Sequence, residues 1–275
     1  MKIFRAPAKL GKWCRAKALE GKRIALVPTM GYLHEGHLSL IAAAKKKKAD
    51  EIVVSVFVNP VQFGPNEDYA KYPRDEKADL AKCRAAGATA VFLPTPDDMY
   101  AKDHSVYVDE TALSKGLCGA RRPGHFRGVC TVVAKLFNIV RPDFAVFGQK
   151  DFQQVQVVKR MVRDLDFGID IVVAPIVREK TGLAKSSRNT YLSDAEKESA
   201  RVLSRSLATV KAGETAAAAK KRVAKEIAKA GLRVDYVEIV EPSGLGDVGK
   251  VSKGDVALVA AYCGKTRLID NRIVQ

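Results

Sequence analysis

The sequence predicts an α/β protein in which a parallel sheet with crossover helices is followed by a smaller C-terminal α+β domain. Two patterns carry this expectation. Through about residue 175, apolar strand-like runs alternate with helical stretches, which is how βαβ units are written. From Asp194 to Ala230 the chain turns Ala/Lys/Glu-rich and helical, and strand-like runs then follow one another without a helix between them, as in a small antiparallel sheet. The boundary falls near Ala174-Pro175. It divides the chain into a Rossmann-like domain, residues 1–175, and a smaller domain, residues 176–275. A chain of 275 residues that is 47% hydrophobic can bury a large core, as one large or two modest domains.

In order, the strand runs of the first domain are Arg23 to Val27, Ile52 to Val58, Ala90 to Leu93, Phe144 to Phe147 and Ile169 to Val173. The first of them, Arg-Ile-Ala-Leu-Val, is apolar enough to be buried on both faces, as parallel strands are. Helices are expected over Leu38 to Lys48, Asp75 to Ala86, Gly128 to Arg141 and Phe152 to Leu165. Lys45-Lys-Lys-Lys48 closes the first of these, where cations complement the negative end of the dipole. In the second domain the helical stretch is interrupted near Gly213, and strands follow at Val234 to Ile239, Asp255 to Tyr262 and Thr266 to Ile269.

Composition narrows the class of protein. The net charge is +16, yet the lysine clusters, including Lys220-Lys-Arg222, read as solvated helix faces. No aromatic-rich RNA-binding strand, zinc knuckle or long basic tail accompanies them, so no specific nucleic-acid role is expected. The opening Met1-Lys-Ile-Phe-Arg-Ala-Pro has no apolar targeting core, and no run reaches the roughly 20 apolar residues of a membrane span. A soluble cytoplasmic protein without a membrane partner is expected. Cys14, Cys83, Cys118, Cys130 and Cys263 are scattered and odd in number, which argues for reduced packing residues over disulfides or zinc.

The most informative stretch is Pro28-Thr-Met-Gly-Tyr-Leu-His34-Glu-Gly-His37, which joins the first strand run to the first helix. Gly31 and Gly36 let the backbone turn tightly and approach a ligand. Free N–H groups and the positive dipole end at the helix start favour an anion, and residues three apart share a face. His34 and His37 therefore point together at a phosphate. Two histidines at a helix start are also compatible with a cap or polar surface, but the glycines and the preceding strand favour a nucleotide triphosphate site.

Three more strings share this character. Phe57-Val-Asn59-Pro-Val-Gln62-Phe-Gly64 closes the second strand run, and ligands of open parallel sheets sit beyond such carboxyl ends. Its amides can orient the hydroxyls and carboxylate of a small hydroxy acid, although alone the string reads as a turn with solvated amides. In Phe147-Gly148-Gln149-Lys150-Asp151-Phe-Gln-Gln154, Gly148 permits close approach to a ribose, Asp151 can accept from a ribose hydroxyl and Lys150 can reach a phosphate. Alone it is a strand-to-helix turn. Gly182-Leu-Ala-Lys185-Ser186-Ser187-Arg188-Asn189 offers two hydroxyls and a guanidinium suited to triphosphate oxygens. His125, in Arg121-Arg-Pro-Gly-His-Phe-Arg127, is either a supporting site residue or a loop histidine.

A His-x-Gly-His turn after the first strand resembles the nucleotidyl-transfer superfamily that includes class I aminoacyl-tRNA synthetases and small cytidylyl- and adenylyltransferases. With all four strings in this order and spacing, the chain from about Phe4 to its C-terminus resembles the pantothenate synthetase family. That resemblance implies ATP-dependent condensation of pantoate with β-alanine, through a pantoyl adenylate, with release of pyrophosphate and AMP. It assigns His34, His37, Lys150 and Arg188 to catalysis. The ATP site then comprises Met30, Gly31, Tyr32, Leu33, His34, Glu35, Gly36 and His37, with Gly148, Gln149, Lys150, Asp151, Val177, Lys185, Ser186, Ser187 and Arg188. Gln62 and Gln154, with Asn59, fall to pantoate and β-alanine. Mg²⁺ is expected to be held mainly by phosphates and water, with Asp79 a candidate to help. The resemblance further implies a homodimer, and ATP and pantoate binding is expected in the first domain. Because an acyl adenylate is easily hydrolysed, the second domain, from about Ile176, is expected to act as a lid that excludes water.

Two positions depart from the family pattern. Thr181 stands where an acidic residue normally precedes Gly182, and Lys185 replaces an apolar residue; both bear on loop dynamics and ATP affinity. Two other classes stay in view. A nucleotidyltransferase of the same superfamily would use another acceptor, and a nucleic-acid-binding module would bind without ATP and with a steep salt dependence.

Overall fold

The structure is a computed structural model and describes residues 1–65 and 67–275. The chain forms two compact units. The first comprises Met1–Lys115, Gly119–Gly148 and Val157–Ala174; the second comprises Gly116–Cys118, Gln149–Gln156 and Pro175–Gln275.

In chain order the elements are β1 (Lys2–Phe4), α1 (Pro7–Leu19), β2 (Ile24–Thr29), α2 (Glu35–Lys46), β3 (Glu51–Val56), α3 (Glu76–Ala86), β4 (Ala90–Phe92), α4 (Pro96–Met99), α5 (Leu117–Arg121), α6 (His125–Val140), β5 (Phe144–Gly148), α7 (Phe152–Asp164) and β6 (Asp170–Ala174). The six strands form one sheet in the order β1-β4-β3-β2-β5-β6, parallel throughout. Ile24 to Val27 are buried, as a central strand covered on both faces requires. Ile41 and Ala44 of α2 and Cys83 of α3 pack against Ala25, Val27, Val54, Val91 and Val146 of the sheet. β2 lies between β3 and β5, so the strand order reverses beside it. Crevices for ligands open beyond the carboxyl ends at such a switch, here at Thr29 of β2 and Gly148 of β5.

The five expected strands of this sheet are present, with ends displaced by one or two residues. Four of these elements lie outside the expectation: β1, α1 and the short helices α4 and α5. β1 is a three-residue edge strand beside β4, too short for a periodic signal. α1 carries Gly11 in its middle, which lowers helix propensity by about 1 kcal/mol relative to Ala. A Cβ there would lie 3.2 Å from the Ile139 carbonyl oxygen of α6, so the glycine admits a close approach between helices.

In the second unit the helical stretch is broken into α8 (Asp194–Ala200), α9 (Val202–Leu207) and α10 (Ala216–Lys229). The strands β7 (Arg233–Val240), β8 (Val256–Cys263) and β9 (Thr266–Ile273) form an antiparallel sheet. Leu203, Leu207, Ala219, Val223 and Ile227 pack on Ile239, Val259 and Ala261 of that sheet. β9 runs four residues beyond the expected Ile269, through Asp270 and Asn271, both buried. No helix among the described residues is long and apolar enough to cross a membrane. The cysteines are free, and burial pushes the Cys14, Cys83 and Cys130 thiols up to about 12.

Candidate functional site

The turn after β2 is made by Gly31 and Tyr32, with φ of +81° and +50°. Gly36, expected to share that task, lies inside α2, which begins at Glu35. Gly31 is required on two counts. Its backbone is left-handed, and a Cβ would lie 2.9 Å from Val56 Cγ1 and 3.0 Å from Asp79 Oδ2. His34 is the N-cap of α2, and its Nδ1 accepts from the Gly36 N–H at 3.1 Å. His37 returns the contact, its Nδ1 accepting from the His34 N–H at 3.2 Å. Both rings therefore carry their lone pair on Nδ1, and the neutral tautomer of each presents an Nε2–H donor. The ring centroids are 4.1 Å apart. Capping thus fixes two imidazole donors at a helix N-terminus, where an anion is favoured.

Behind this turn stands α3. Asp79, 2% exposed, accepts from the N–H groups of Tyr32 at 2.8 Å and Leu33 at 2.7 Å. One helical turn on, Lys82 Nζ donates to the Leu33 carbonyl at 2.6 Å. Burial pushes the Asp79 carboxyl up, against the pull of its two N–H partners. These bonds make Asp79 an anchor of the turn, and a Mg²⁺ ion could use its carboxylate only by sharing or displacing them. Among the described residues no three His, Cys, Asp or Glu side chains gather as a metal cage.

The amides of the second string form a buried chain. Asn59, 1% exposed, accepts from the Tyr100 hydroxyl at 2.8 Å and the Val61 N–H at 3.3 Å. Its Nδ2 donates to Gln62 Oε1 and to the Gly128 carbonyl, both at 3.1 Å. All its bonding capacity is engaged within the protein. Asn59 therefore orients the Gln62 amide: Oε1 faces Asn59, and Nε2 lies 3.1 Å from Met30 Sδ, next to Gly31. His125 holds the same segment, its Nδ1 bonding the Gln62 carbonyl at 2.9 Å and its Nε2 lying 3.0 Å from Arg122 Nη1. An arginine only donates, so Nε2 accepts and Nδ1 carries the proton. Arg122 is in turn paired with Glu67. His125 is thus a buried residue bonded to the segment that carries Gln62.

In the second unit, Gln149–Asp151 is a 3-10 turn leading into α7, and Lys150 Nζ lies 3.5 Å from Asp151 Oδ2. Asn271 of β9 donates to the carbonyls of Gln149 at 2.9 Å and Lys150 at 3.0 Å, and accepts from Gln149 Nε2 at 3.1 Å. The neighbouring Asp270 receives Arg178 through both oxygens, at 2.6 and 2.9 Å. Arg178 also donates to the Gly182 carbonyl, closing a turn in which Gly182 has φ +95°. Ser186 caps the 3-10 turn Ser187–Tyr191 by accepting from the Arg188 N–H, and the Lys185 N–H returns to the Val177 carbonyl. Of the paired glutamines, Gln153 is buried and bonds Gly116 and Cys118, whereas Gln154 is half-buried.

The sequence profile described as Pantoate-beta-alanine ligase matches residues 2–273. Pantothenate synthetase of Clostridium acetobutylicum is 52% identical over 277 residues, covering 98% of each chain. Among solved structures, pantothenate synthetase from Thermus thermophilus matches with a TM-score of 0.92 at 42% identity, covering 99% of both chains. Pantoate-beta-alanine ligase from Francisella tularensis, complexed with beta-gamma ATP and beta-alanine, matches with a TM-score of 0.85 at 32% identity, over 99% of this chain and 97% of that one. The chain belongs to the pantoate–β-alanine ligase family.

The fold is that of these ligases, a six-stranded parallel sheet with helices and a small antiparallel sheet. Within the first unit, Gln62 reaches Met30, which opens the turn that leads to the paired rings of His34 and His37. Within the second, Gln149 and Lys150 share β9 with the Arg178–Gly182 turn. Sequence reasoning missed Lys82, Tyr100, Gly128, Arg178, Asp270 and Asn271. Each supports a ligase motif, all but Arg178 from a distant element, and nothing in its local spacing announces a partner.

Proposed function

We propose that this chain condenses pantoate with β-alanine in two ATP-driven steps. In the first, a pantoate carboxylate oxygen attacks the α-phosphorus of ATP, the bond to the β-phosphate oxygen breaks, and pyrophosphate leaves. In the second, the β-alanine amine attacks the acyl carbon of pantoyl adenylate; AMP leaves with the electron pair, and the amine's proton passes to solvent. No side chain has to become covalently attached, because the work is positioning and charge stabilisation.

The observation that carries this reading is the reciprocal cap of His34 and His37. It gives two Nε2–H donors, preorganised for charge that grows on phosphate oxygens as the leaving bond breaks. Lys150 and Arg188 are assigned further phosphate contacts, with Ser186 and Ser187, and Gln62 and Gln154 read the acid. The family resemblance supports these assignments, the remaining ATP contacts and a homodimer. The Thr181–Asn189 loop is proposed to become ordered by ATP. Mg²⁺, when bound, offsets phosphate charge and is held mainly by phosphate oxygens and water.

The test is pantoate-dependent exchange of pyrophosphate into ATP, repeated with other carboxylic acids. His34→Ala and His37→Ala should each lower the exchange rate about 10² to 10³-fold while the fold is retained. Near-normal exchange in both variants would sink the assignment.

A further inference from the structure

The two segments to which ATP contacts are assigned in the second unit end on the same two residues of one strand. Asp270 and Asn271 are adjacent on β9 and 3% and 1% exposed. Successive side chains of a strand point to opposite faces, so the pair reaches to both sides of the strand. Asn271 uses both amide protons on the carbonyls of Gln149 and Lys150 and its oxygen on the Gln149 side chain. Asp270 engages Arg178 through both oxygens and also accepts from the Asn271 N–H at 2.8 Å. Arg178 continues to the Gly182 carbonyl and, at 3.5 Å, to the Asn271 carbonyl. The pairing of β9 with β8 does not need a buried carboxylate and a buried amide; placing them there costs free energy unless every polar atom finds a partner.

We propose that Asp270 and Asn271 are positioning residues that fix the Gln149–Asp151 turn and the Arg178–Gly182 turn to one strand, so that Lys150 and the Ser186–Arg188 loop are held in register for the same triphosphate. This rests on the ATP assignment above. Neither residue touches ATP. Asn271 sets the backbone from which Lys150 projects, and Asp270 sets the base of the loop that carries Arg188.

A double-variant cycle in the full-length enzyme tests the inference, read as kcat/KM for ATP in the exchange reaction and, separately, as KM for β-alanine. Asn271→Ala should lower the ATP kcat/KM about 10²-fold, the loss expected when a reacting group is misplaced by about 1 Å, and leave the β-alanine KM unchanged. Because Asn271 acts through the Lys150 turn, adding Asn271→Ala to Lys150→Ala should cost far less than the product of the single losses. Should Asn271→Ala fail to fold, Asp270→Asn, which keeps the volume and one acceptor, carries the same test against Arg188→Ala. Multiplicative losses in these cycles, or a rise in β-alanine KM equal to that for ATP, would overturn the inference. Undiminished activity of Lys150→Ala alone would instead overturn the ATP assignment beneath it.

Discussion

Gly128 is where the smallest change should have the largest specific effect. It lies inside α6, where Ala would ordinarily gain about 1 kcal/mol in helix propensity. A Cβ at that position would fall 2.5 Å from the Val61 carbonyl oxygen and 2.6 Å from both N and Cα of Gln62. These are backbone atoms and cannot swing aside. Relief requires the Pro60–Gln62 turn to retreat by about 1 Å to ordinary contact distance. Overpacking of this kind costs about 1–3 kcal/mol, which outweighs the propensity gain. The displaced segment carries Gln62 and the acceptor sites of Asn59 and His125, so Gly128→Ala should raise the pantoate KM by about 10-fold or more and leave the ATP KM nearly unchanged. Steady-state kinetics with each substrate varied in turn, below the melting range of the variant, makes the comparison. A folded Gly128→Ala enzyme with normal pantoate dependence would refute the placement of Gln62 against α6 as the basis of acid recognition.

Asp79→Asn should leave one of the Tyr32 and Leu33 N–H groups without an acceptor, costing about 1–3 kcal/mol of stability, and loosen the turn that carries His34; the ATP KM should rise, and an unchanged KM with lowered stability would limit Asp79 to folding. Glu67 gives a pH dependence. Burial alone would raise its carboxyl, but the hydrogen bond and charge of Arg122 bring it below the ordinary 4.5. A depressed folded value means that the stabilisation is complete above 4.5 and is lost as pH falls through the folded value. The difference in melting temperature between wild type and Glu67→Gln should therefore be constant on the neutral side and close only below pH 4.5; a gap that persists in acid would refute the pairing.

The parallel sheet was legible because its strands are short apolar runs separated by helical ones, and burial on both faces leaves that pattern intact in β2, β3 and β5. Three of the four motifs were legible for a different reason: Gly31 and His34, Gln62, and Lys150 belong to contiguous strings that follow a strand and lead into a helical turn. What could not be read were the partners behind them. Asn59 looked like a solvated turn amide or a substrate contact, and only the fold brings Tyr100 and Gly128 to it, 41 and 69 residues away. β9 shows the same limit from the other side. Its periodic signal stops at Ile269 because Asp270 and Asn271 are polar, whereas the strand continues to Ile273. The residues that end the pattern are the ones that hold the two turns, Asn271 the Gln149–Lys150 turn and Asp270, through Arg178, the turn at Gly182.

Asp79, Asn59 and Asn271 share a physical design. Each is at least 98% buried, and each directs its polar atoms at the backbone or side chain of a motif turn. Turns have few apolar contacts of their own and belong by default to the mobile end of a structure. A surface ion pair would hold one by less than about 1 kcal/mol and would weaken with salt. A buried amide or carboxylate acts differently, because releasing the turn strands desolvated groups on both sides, at about 1–3 kcal/mol for each. The restraint is therefore stiff without a large hydrophobic core around the turn, and the side chains the turn presents stay available for substrate. The same reasoning explains why Asp79 and Asn271 come from α3 and β9, a helix packed on a sheet and a strand within one, while Asn59 caps the very turn that it anchors.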